Sequence, residues 1–300
     1  MKVRRLKIDY STIKPHWAPN MEFAQHENAG GLTPAHVEPF LIKVMYQAKA
    51  QLPPELTSLH ADIAIFIKQE SEHYKQHIAF NKALYAAGYE RLADFDRELA
   101  ADYERFLTEK SLKFNCAYCE GFETLGPPNA KAYFEFYSDL LIGAERSAVD
   151  LWKWHMAEEF EHRHVAYEVY KTLYGRKHFF NAYFYRIYGF FCTMRHLGGW
   201  SAKVYAYLIG KDREGMSAQE LERSKRREKI YQRKLLFHFM PQLLRVLSPF
   251  YDPAKLRAPR GLMEFMNRVE TDYGIKGAGT GGTAAGGPGA GSAAAGNTAG

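Results

Sequence analysis

Apolar residues recur every three to four positions along most of the chain, which is the spacing of helices that bury one face. The first of these helices is predicted to begin after Thr33, a favourable N-cap residue, with Pro34 at its first position. Further helices are predicted over 56–87, 94–124, 130–143, 145–174 and most of 178–250. Since strand-like alternation is confined to the first ten residues, the pattern predicts an all-α bundle of antiparallel helices.

The same pattern divides the chain into four parts. Residues 1–32 are predicted to be an irregular lead-in, and residues 33–175 a helical bundle. Residues 176–270, rich first in aromatic and then in basic side chains, are expected to form additional C-terminal helices packed on that bundle. A disordered tail is predicted for 271–300, because its Gly/Ala-rich composition has no means of burying a core.

One apolar helical stripe has a charged centre. In "WKWHMAEEFEHRHVAYEVY" a single helix face carries Trp152, His155, Glu159, His162, Ala166 and Tyr170. Burying an unpaired charge costs several kcal/mol. The carboxylate and imidazoles in the middle of the stripe therefore require a partner.

A second stripe has the same feature. Glu70, His73 and His77 share one face of the helix "IFIKQESEHYKQHIAFN", with apolar residues on either side. The chain thus has two Glu-x-x-His pairs, and a shift of 89 positions maps Glu70 and His73 onto Glu159 and His162.

Two Glu-x-x-His helices, with one further Glu from each of two other helices, form the di-metal carboxylate pattern of ferritin-like bundles. The preceding helices offer Glu38 for the first pair, and either Glu120 or Glu123 for the second. Carboxylate and imidazole ligands suit iron or manganese. A metal pair would also neutralise the charges within the two stripes.

The segments "FIKQESEHYKQHIAFN", "CEGF" and "WKWHMAEEFEHRHVAYEVY" resemble a bacterial family called predicted metal-dependent hydrolase, a ferritin-like group. The resemblance covers roughly residues 33 to 255. It implies a ferritin-like fold with six metal ligands, namely Glu38, Glu70, His73, Glu120, Glu159 and His162. The chain departs from the family after Glu120, where Gly121-Phe122-Glu123 replaces a His-Phe-Thr sequence, so Glu123 is a further candidate ligand or hydrogen-bond partner.

Two other histidines match positions of the family's motifs. His77 and His155 are predicted to be catalytic, either as additional ligands or as groups that orient a carboxylate or carry a proton. Both alternatives stay open for each residue.

The leading functional hypothesis is a di-iron enzyme that activates O₂ and oxidises a small apolar or aromatic substrate. Mixed manganese/iron, manganese or zinc are the alternative metals. A metal-dependent hydrolase that uses a metal-bridging hydroxide is the alternative function. A ferritin-like iron-binding protein without an organic substrate is the third hypothesis.

Composition and charge limit the partners. The net charge of +6 is mild for 300 residues, and the basic stretch 203–234 is interpreted as a solvated helix face, so no nucleic-acid partner is expected. The aromatic stretch 178–200 is predicted to be core or channel wall, with peripheral membrane contact through 178–234 as the alternative. A homodimer is a further expectation.

Three cysteines, and an N-terminus without an apolar signal region, favour the cytoplasm, with membrane association as the alternative.

Overall fold

The computed structural model describes residues 1–175 and 178–275, and within these ranges it contains helices and no strand. The all-α prediction is confirmed. The α-helices are, in chain order, α1 (Met21–Gly31), α2 (Pro34–Lys49), α3 (Thr57–Ala86), α4 (Leu92–Glu109), α5 (Leu112–Glu123), α6 (Gly126–Lys131), α7 (Arg146–His162), α8 (Val165–Tyr170), α9 (Phe179–Thr193), α10 (Gly199–Asp212), α11 (Ala218–Val246) and α12 (Leu262–Asp272).

The prediction of an irregular lead-in over 1–32 is wrong for its last part, where α1 forms. The Asn20 side chain caps this helix by accepting a hydrogen bond from the backbone N–H of Phe23. Sequence periodicity fails here because α1 is buried on most of its circumference, including polar residues such as Gln25 and Asn28. Such a helix has no clean apolar stripe.

Two predicted helices are interrupted. The stretch 94–124 divides into α4 and α5, because Ser111 is extended and its hydroxyl caps α5 through the N–H of Phe114. The stretch 145–174 is broken after His162, where α7 ends, and resumes in α8 and a π-helical turn over Lys171–Gly175. The predicted helix over 130–143 begins earlier, at Gly126, and ends in a π-helical turn over Ala132–Phe136.

The C-terminal boundary also shifts. Helix α12 runs to Asp272 and packs against α7, so the first residues of the predicted tail are ordered structure. The rest of that prediction, residues 276–300, lies outside the described residues.

Four helices surround a buried polar centre. Helix α2 packs along α3 and also contacts α5, while α7 packs against α3. Two large apolar clusters enclose these helices, one built mainly around α2–α5 and the other around α7 and the N-terminal segment.

Helix α9 lies unusually close to α5. A Cβ atom on Gly189 would lie 2.7 Å from the backbone of Ala117, and one on Gly121 would lie 2.9 Å from Cα of Phe190. Only glycine permits this approach. The position of α5, and of every carboxylate it carries, therefore depends on these two contacts.

Candidate metal centre

The first group of convergent side chains joins three helices. Glu38 on α2, His73 on α3, and His155 and Glu159 on α7 each place one ligand atom within 4.8 Å of all the others. All four side chains are buried. The spacing of four residues between His155 and Glu159 puts both on the same face of α7.

A second group adjoins the first and shares Glu159. It consists of Glu70 on α3 with Glu159 and His162 on α7, again with ligand atoms within 4.8 Å of one another. Glu123 on α5 extends this group, since its Oε2 lies 3.3 Å from Nε2 of His162. Glu159 is thus placed to bridge two neighbouring positions.

Many of the buried polar atoms in these groups lack a hydrogen-bond partner within the part of the chain that the structure describes. They are both carboxylate oxygens of Glu38, Glu70 and Glu123, Nδ1 of His73 and Nε2 of His162. Leaving one such atom unsatisfied costs about 1–3 kcal/mol, and charged groups cost more. Their convergence is explained when cations bind them, so the residues fit a pair of metal ions.

On the side away from the centre, His73 contacts a carboxylate that the sequence pattern did not predict as part of the site. Its Nδ1 faces Glu159 Oε1 at 3.6 Å, and its Nε2 lies 3.2 Å from Oε2 of Glu158. Glu158 in turn accepts a hydrogen bond of 3.0 Å from Nη1 of Arg4. Glu158 is completely buried and forms an interhelical contact between α7 and α3.

The two histidines predicted to be catalytic occupy different positions. Nε2 of His155 faces Glu159 Oε1 at 3.1 Å and Glu38 Oε1 at 3.3 Å, which is a ligand's position. Its Nδ1 lies 2.7 Å from Nε2 of His77. His77 is therefore one step removed from the centre, and its contact fixes the orientation of the His155 ring.

His162 uses the opposite nitrogen from His73. Its Nε2 lies 3.2 Å from Glu70 Oε1, and its Nδ1 lies 3.1 Å from Oε1 of Gln69. The two Glu-x-x-His pairs are consequently not equivalent, although their spacing in sequence is identical. His155 adds to the asymmetry, because the position 89 residues earlier, which corresponds to it in the first motif, is Phe66.

Glu120 does not join the centre, which corrects its prediction as a ligand. Its Oε1 accepts hydrogen bonds from Nη1 of Arg186 at 3.0 Å and from Oγ1 of Thr124 at 3.2 Å. Glu123, one helical turn further along α5, is the carboxylate that reaches His162. The ion pair with Arg186, contributed by α9, holds Glu120 away from the other site residues.

The electrostatics follow from burial of several carboxylates together. Burial, and then repulsion from Glu159, raises the pKa of Glu38 and of Glu70 well above the usual range, and burial raises that of Glu123 to about 7. Burial opposes ionisation of Glu159 as well, but the charge of His162 and hydrogen bonds from the histidines hold its pKa well below normal. Without cations the cluster thus binds protons in their place.

An apolar cavity gives access to the centre. Its volume is about 460 Å³, and two site residues, His155 and Glu159, form part of its wall. Gly126 also lines it, and a Cβ there would lie 3.0 Å from Oε2 of Glu159. The glycine therefore leaves room for the carboxylate that both groups share. A small organic molecule fits a cavity of this size.

The chain belongs to the family described as predicted metal-dependent hydrolase, whose sequence model matches residues 2–256. That assignment and the buried Glu/His groups agree on metal dependence. No curated protein and no solved structure matches the chain significantly. The ferritin-like grouping therefore stays a prediction.

Proposed function

We propose that the chain is a hydrolase that uses two metal ions held between α2, α3, α5 and α7. The observation that carries the proposal is the convergence of unpaired, buried carboxylate and imidazole atoms beside an apolar cavity. The family assignment supports the reaction class. When bound, two metal ions would polarise a substrate oxygen and increase the acidity of water.

The residues divide between two positions. Glu38, His73 and His155 would hold one metal ion, while Glu70, Glu123 and His162 would hold the other, with Glu159 shared. Iron is the first candidate for both, with manganese/iron, manganese or zinc as alternatives, because oxygen and nitrogen donors without thiolate suit all of them.

The chain's own groups orient this set. In each histidine, the ring nitrogen that faces away from the centre contacts another side chain. Nε2 of His73 contacts Glu158, Nδ1 of His162 contacts Gln69, and Nδ1 of His155 contacts His77. Each contact fixes which nitrogen faces the centre. Within the described residues, the cavity wall includes His155 and Glu159 but not His77, so His77 would act on a molecule in the cavity only through His155.

Hydrolysis is tested with chromogenic esters, amides and phosphoesters, using protein loaded separately with zinc, manganese and iron. The proposal predicts turnover that is lost on chelation, restored by redox-inert zinc, and unchanged without oxygen. The Glu159→Gln variant is expected to be inactive, whereas Glu90→Gln, an exposed control, is expected to be fully active. Absence of turnover with every metal and substrate class would overturn the reaction assignment.

A second candidate is an O₂-dependent oxidase or oxygenase acting on an apolar substrate. The specific observation in its favour is the donor set, since glutamates and histidines from four helices form the pattern of di-iron carboxylate enzymes. It predicts oxygen consumption by the iron-loaded protein and no activity with zinc. The same set of metal-loaded samples distinguishes the two candidates.

A further inference from the structure

Part of the cavity wall is polar and aromatic. Glu27 lies there with Tyr133 and Tyr231, whose hydroxyl groups both donate hydrogen bonds to its carboxylate. Glu27 is only 7% exposed, and Tyr133 is essentially buried. Burial, and then the charge of Glu27, raises the pKa of Tyr133 well above normal, so this phenol stays a donor.

Within the described residues, Glu27 has no lysine or arginine partner, unlike a neighbouring carboxylate. Glu22, on the same helix, accepts two hydrogen bonds of 2.8 Å from Arg227. For Glu27, the ion pairs among the described residues include only the ring of His26, at 3.1 Å. A buried carboxylate without a lysine or arginine partner, at the wall of a cavity, is suited to a cationic ligand.

Aromatic rings surround the same region. Tyr133 and Trp152 are stacked with their centroids 5.5 Å apart, and Tyr205 and Tyr231 complete this part of the wall. Ring faces attract ammonium groups, most strongly where water is excluded. The remaining wall is mixed: polar residues such as Asn129 and Gln232 alternate with apolar side chains, which include Leu125, Met156, Met194, Leu197 and Leu235.

We infer that this cavity binds an organic ammonium compound, with its cationic group at Glu27 and its apolar body extending to His155 and Glu159. Binding itself requires no catalysis. Only the identification of this ligand as the substrate rests on the proposed function.

The test is calorimetric titration of the metal-loaded protein with octyltrimethylammonium, octylammonium, 1-octanol and octanoate. The quaternary compound has no lone pair, so it cannot bind through a metal ion. Both cations are expected to bind about tenfold or more tightly than the alcohol. Octanoate serves as a probe of the metal ions, which its carboxylate can bind. In Glu27→Gln this preference is expected to disappear, whereas Glu90→Gln keeps it.

Equal affinity for the alcohol and the cations, or no binding of any of the four, would overturn the inference. Retention of the preference in Glu27→Gln would do the same. The comparison among ligands uses the wild-type chain, so it is decisive even where Glu27→Gln fails to fold. Failure of the hydrolase proposal leaves these titrations unaffected, because they measure binding without turnover.

A different observation concerns the outer surface. Helix α9 exposes a row of aromatic side chains, namely Phe179, Phe180, Phe184, Tyr188 and Phe191. The C-terminal half of α11 exposes Leu236, Phe237, Met240 and Leu244, and Phe250 is exposed after the end of that helix. The two helices adjoin, since Tyr183 and Arg186 of α9 donate hydrogen bonds to backbone oxygens at the end of α11. We call this set of residues the aromatic face.

The segments that carry the aromatic face are basic in sequence, although Asp139 pairs with Lys234 of α11 and Asp252 follows Phe250 by two residues. The sequence has no Asp or Glu between Glu168 and Asp212, or between Glu228 and Asp252, whereas it has exposed Arg195, Arg233 and Arg245. Apolar side chains flanked by cations are typical of surfaces that lie in the interface of an anionic bilayer. No helix in the described ranges is both long and apolar enough to cross a membrane.

We further propose that the aromatic face binds the surface of an anionic bilayer. Sedimentation with vesicles tests this, with phosphatidylglycerol-containing vesicles expected to bind the protein and phosphatidylcholine vesicles not. The triple variant Phe180→Ser, Phe184→Ser, Phe237→Ser is expected to lose binding, while Tyr46→Ser, an exposed aromatic on α2, keeps it. No binding to anionic vesicles, or a stable homodimer that buries the face, would overturn the proposal.

Discussion

Glu120 and Glu123 lie one turn apart on α5, and their different partners make them a matched pair for mutation. Glu123→Gln is expected to lower the metal content by about one ion per chain, because Glu123 faces His162. Glu120→Gln is expected to keep the full content and to lower the free energy of unfolding by about 1–3 kcal/mol, since Arg186 loses its carboxylate. Elemental analysis and urea unfolding measure the two effects.

The reverse result, with metal lost from Glu120→Gln and kept by Glu123→Gln, would restore the ligand set that the family resemblance implies. It would also mean that the ion pair with Arg186 opens when metal binds.

His77 and His155 provide a second residue-scale prediction. His155→Ala is expected to empty the position it shares with Glu38 and His73. His77→Phe is expected to keep both metal ions but to weaken binding about 10–100-fold, because it only orients the His155 ring. Metal titration measures both, with His60→Phe at the other end of α3 as control.

Unchanged metal affinity in His77→Phe would show that the contact between the two rings has no effect on binding. Complete loss of one ion would instead give His77 a direct role as ligand.

The residues that sequence could predict share one property. Glu38, Glu70, His73, Glu159 and His162 interrupt apolar stripes, and helical periodicity alone brings them to inward faces. Glu158 could not be assigned in this way, because its partner Arg4 is 154 positions away. Its one local signal is a second buried stripe on α7, formed with Trp154 and Leu151.

At the scale of elements, the close contact between α5 and α9 can be tested as the feature that positions α5. Gly189→Ala places a Cβ 2.7 Å from the backbone of Ala117 and is expected to cost about 1–3 kcal/mol of unfolding free energy. Gly210→Ala, in α10, meets nothing within 4 Å and is expected to stabilise the protein by about 0.5–1 kcal/mol. Urea unfolding of the metal-free protein compares them.

Because Glu123 lies on α5, Gly189→Ala should also weaken metal binding, whereas Gly210→Ala should not. Equal stability of the two alanine variants would mean that α5 and α9 separate without cost, and that their contact does not position Glu123.

Helix boundaries were less predictable than helix existence. Ser111 interrupts a continuous helical pattern because its hydroxyl caps α5, and the sequence alone did not favour the cap over continuation. Helix α1 escaped prediction for the opposite reason. Its buried polar residues, among them Glu27, obscure the periodicity that reveals the other helices.

At the scale of the whole molecule, the buried carboxyl groups are expected to make the metal-free protein less stable, and the stabilisation by metal larger, as pH rises. Burial raises the pKa of Glu123 to about 7 and of Glu158 to about 8. The folded chain thus holds these protons more tightly than the unfolded chain, so the stability they contribute is present at low pH and lost as pH rises through these values. The metal-free protein should melt at a lower temperature at about pH 8.5 than at about pH 6.5.

Burial lowers the pKa of His73 and His77, so the stability that these two histidines contribute increases with pH. This increase is nearly complete once the pH exceeds the ordinary pKa range of histidine, so it changes little over the interval tested. Metal binding needs deprotonated ligands, so the increase in melting temperature on adding metal should grow over the same interval. Thermal unfolding with and without chelator tests both statements. Metal-free protein that becomes more stable across this interval would contradict them.

The arrangement of the molecule around the centre was predictable only in part. The all-α architecture and the Glu-x-x-His helices follow from periodicity. The N-terminal segment was missed as a structural component, although Arg4 pairs with Glu158 and Glu161 on α7 and with Glu270 on α12. Contacts between such distant residues leave no periodic signal.

The most direct test of the account is anomalous X-ray diffraction from crystals of the metal-loaded protein. Two anomalous peaks per chain are expected, about 3.5–4 Å apart and both within bonding distance of Glu159. One peak should lie beside Glu38, His73 and His155, and the other beside Glu70, Glu123 and His162. Absence of any peak between α3 and α7 in folded, metal-loaded protein, or a peak bound by Glu120 instead of Glu123, would contradict it.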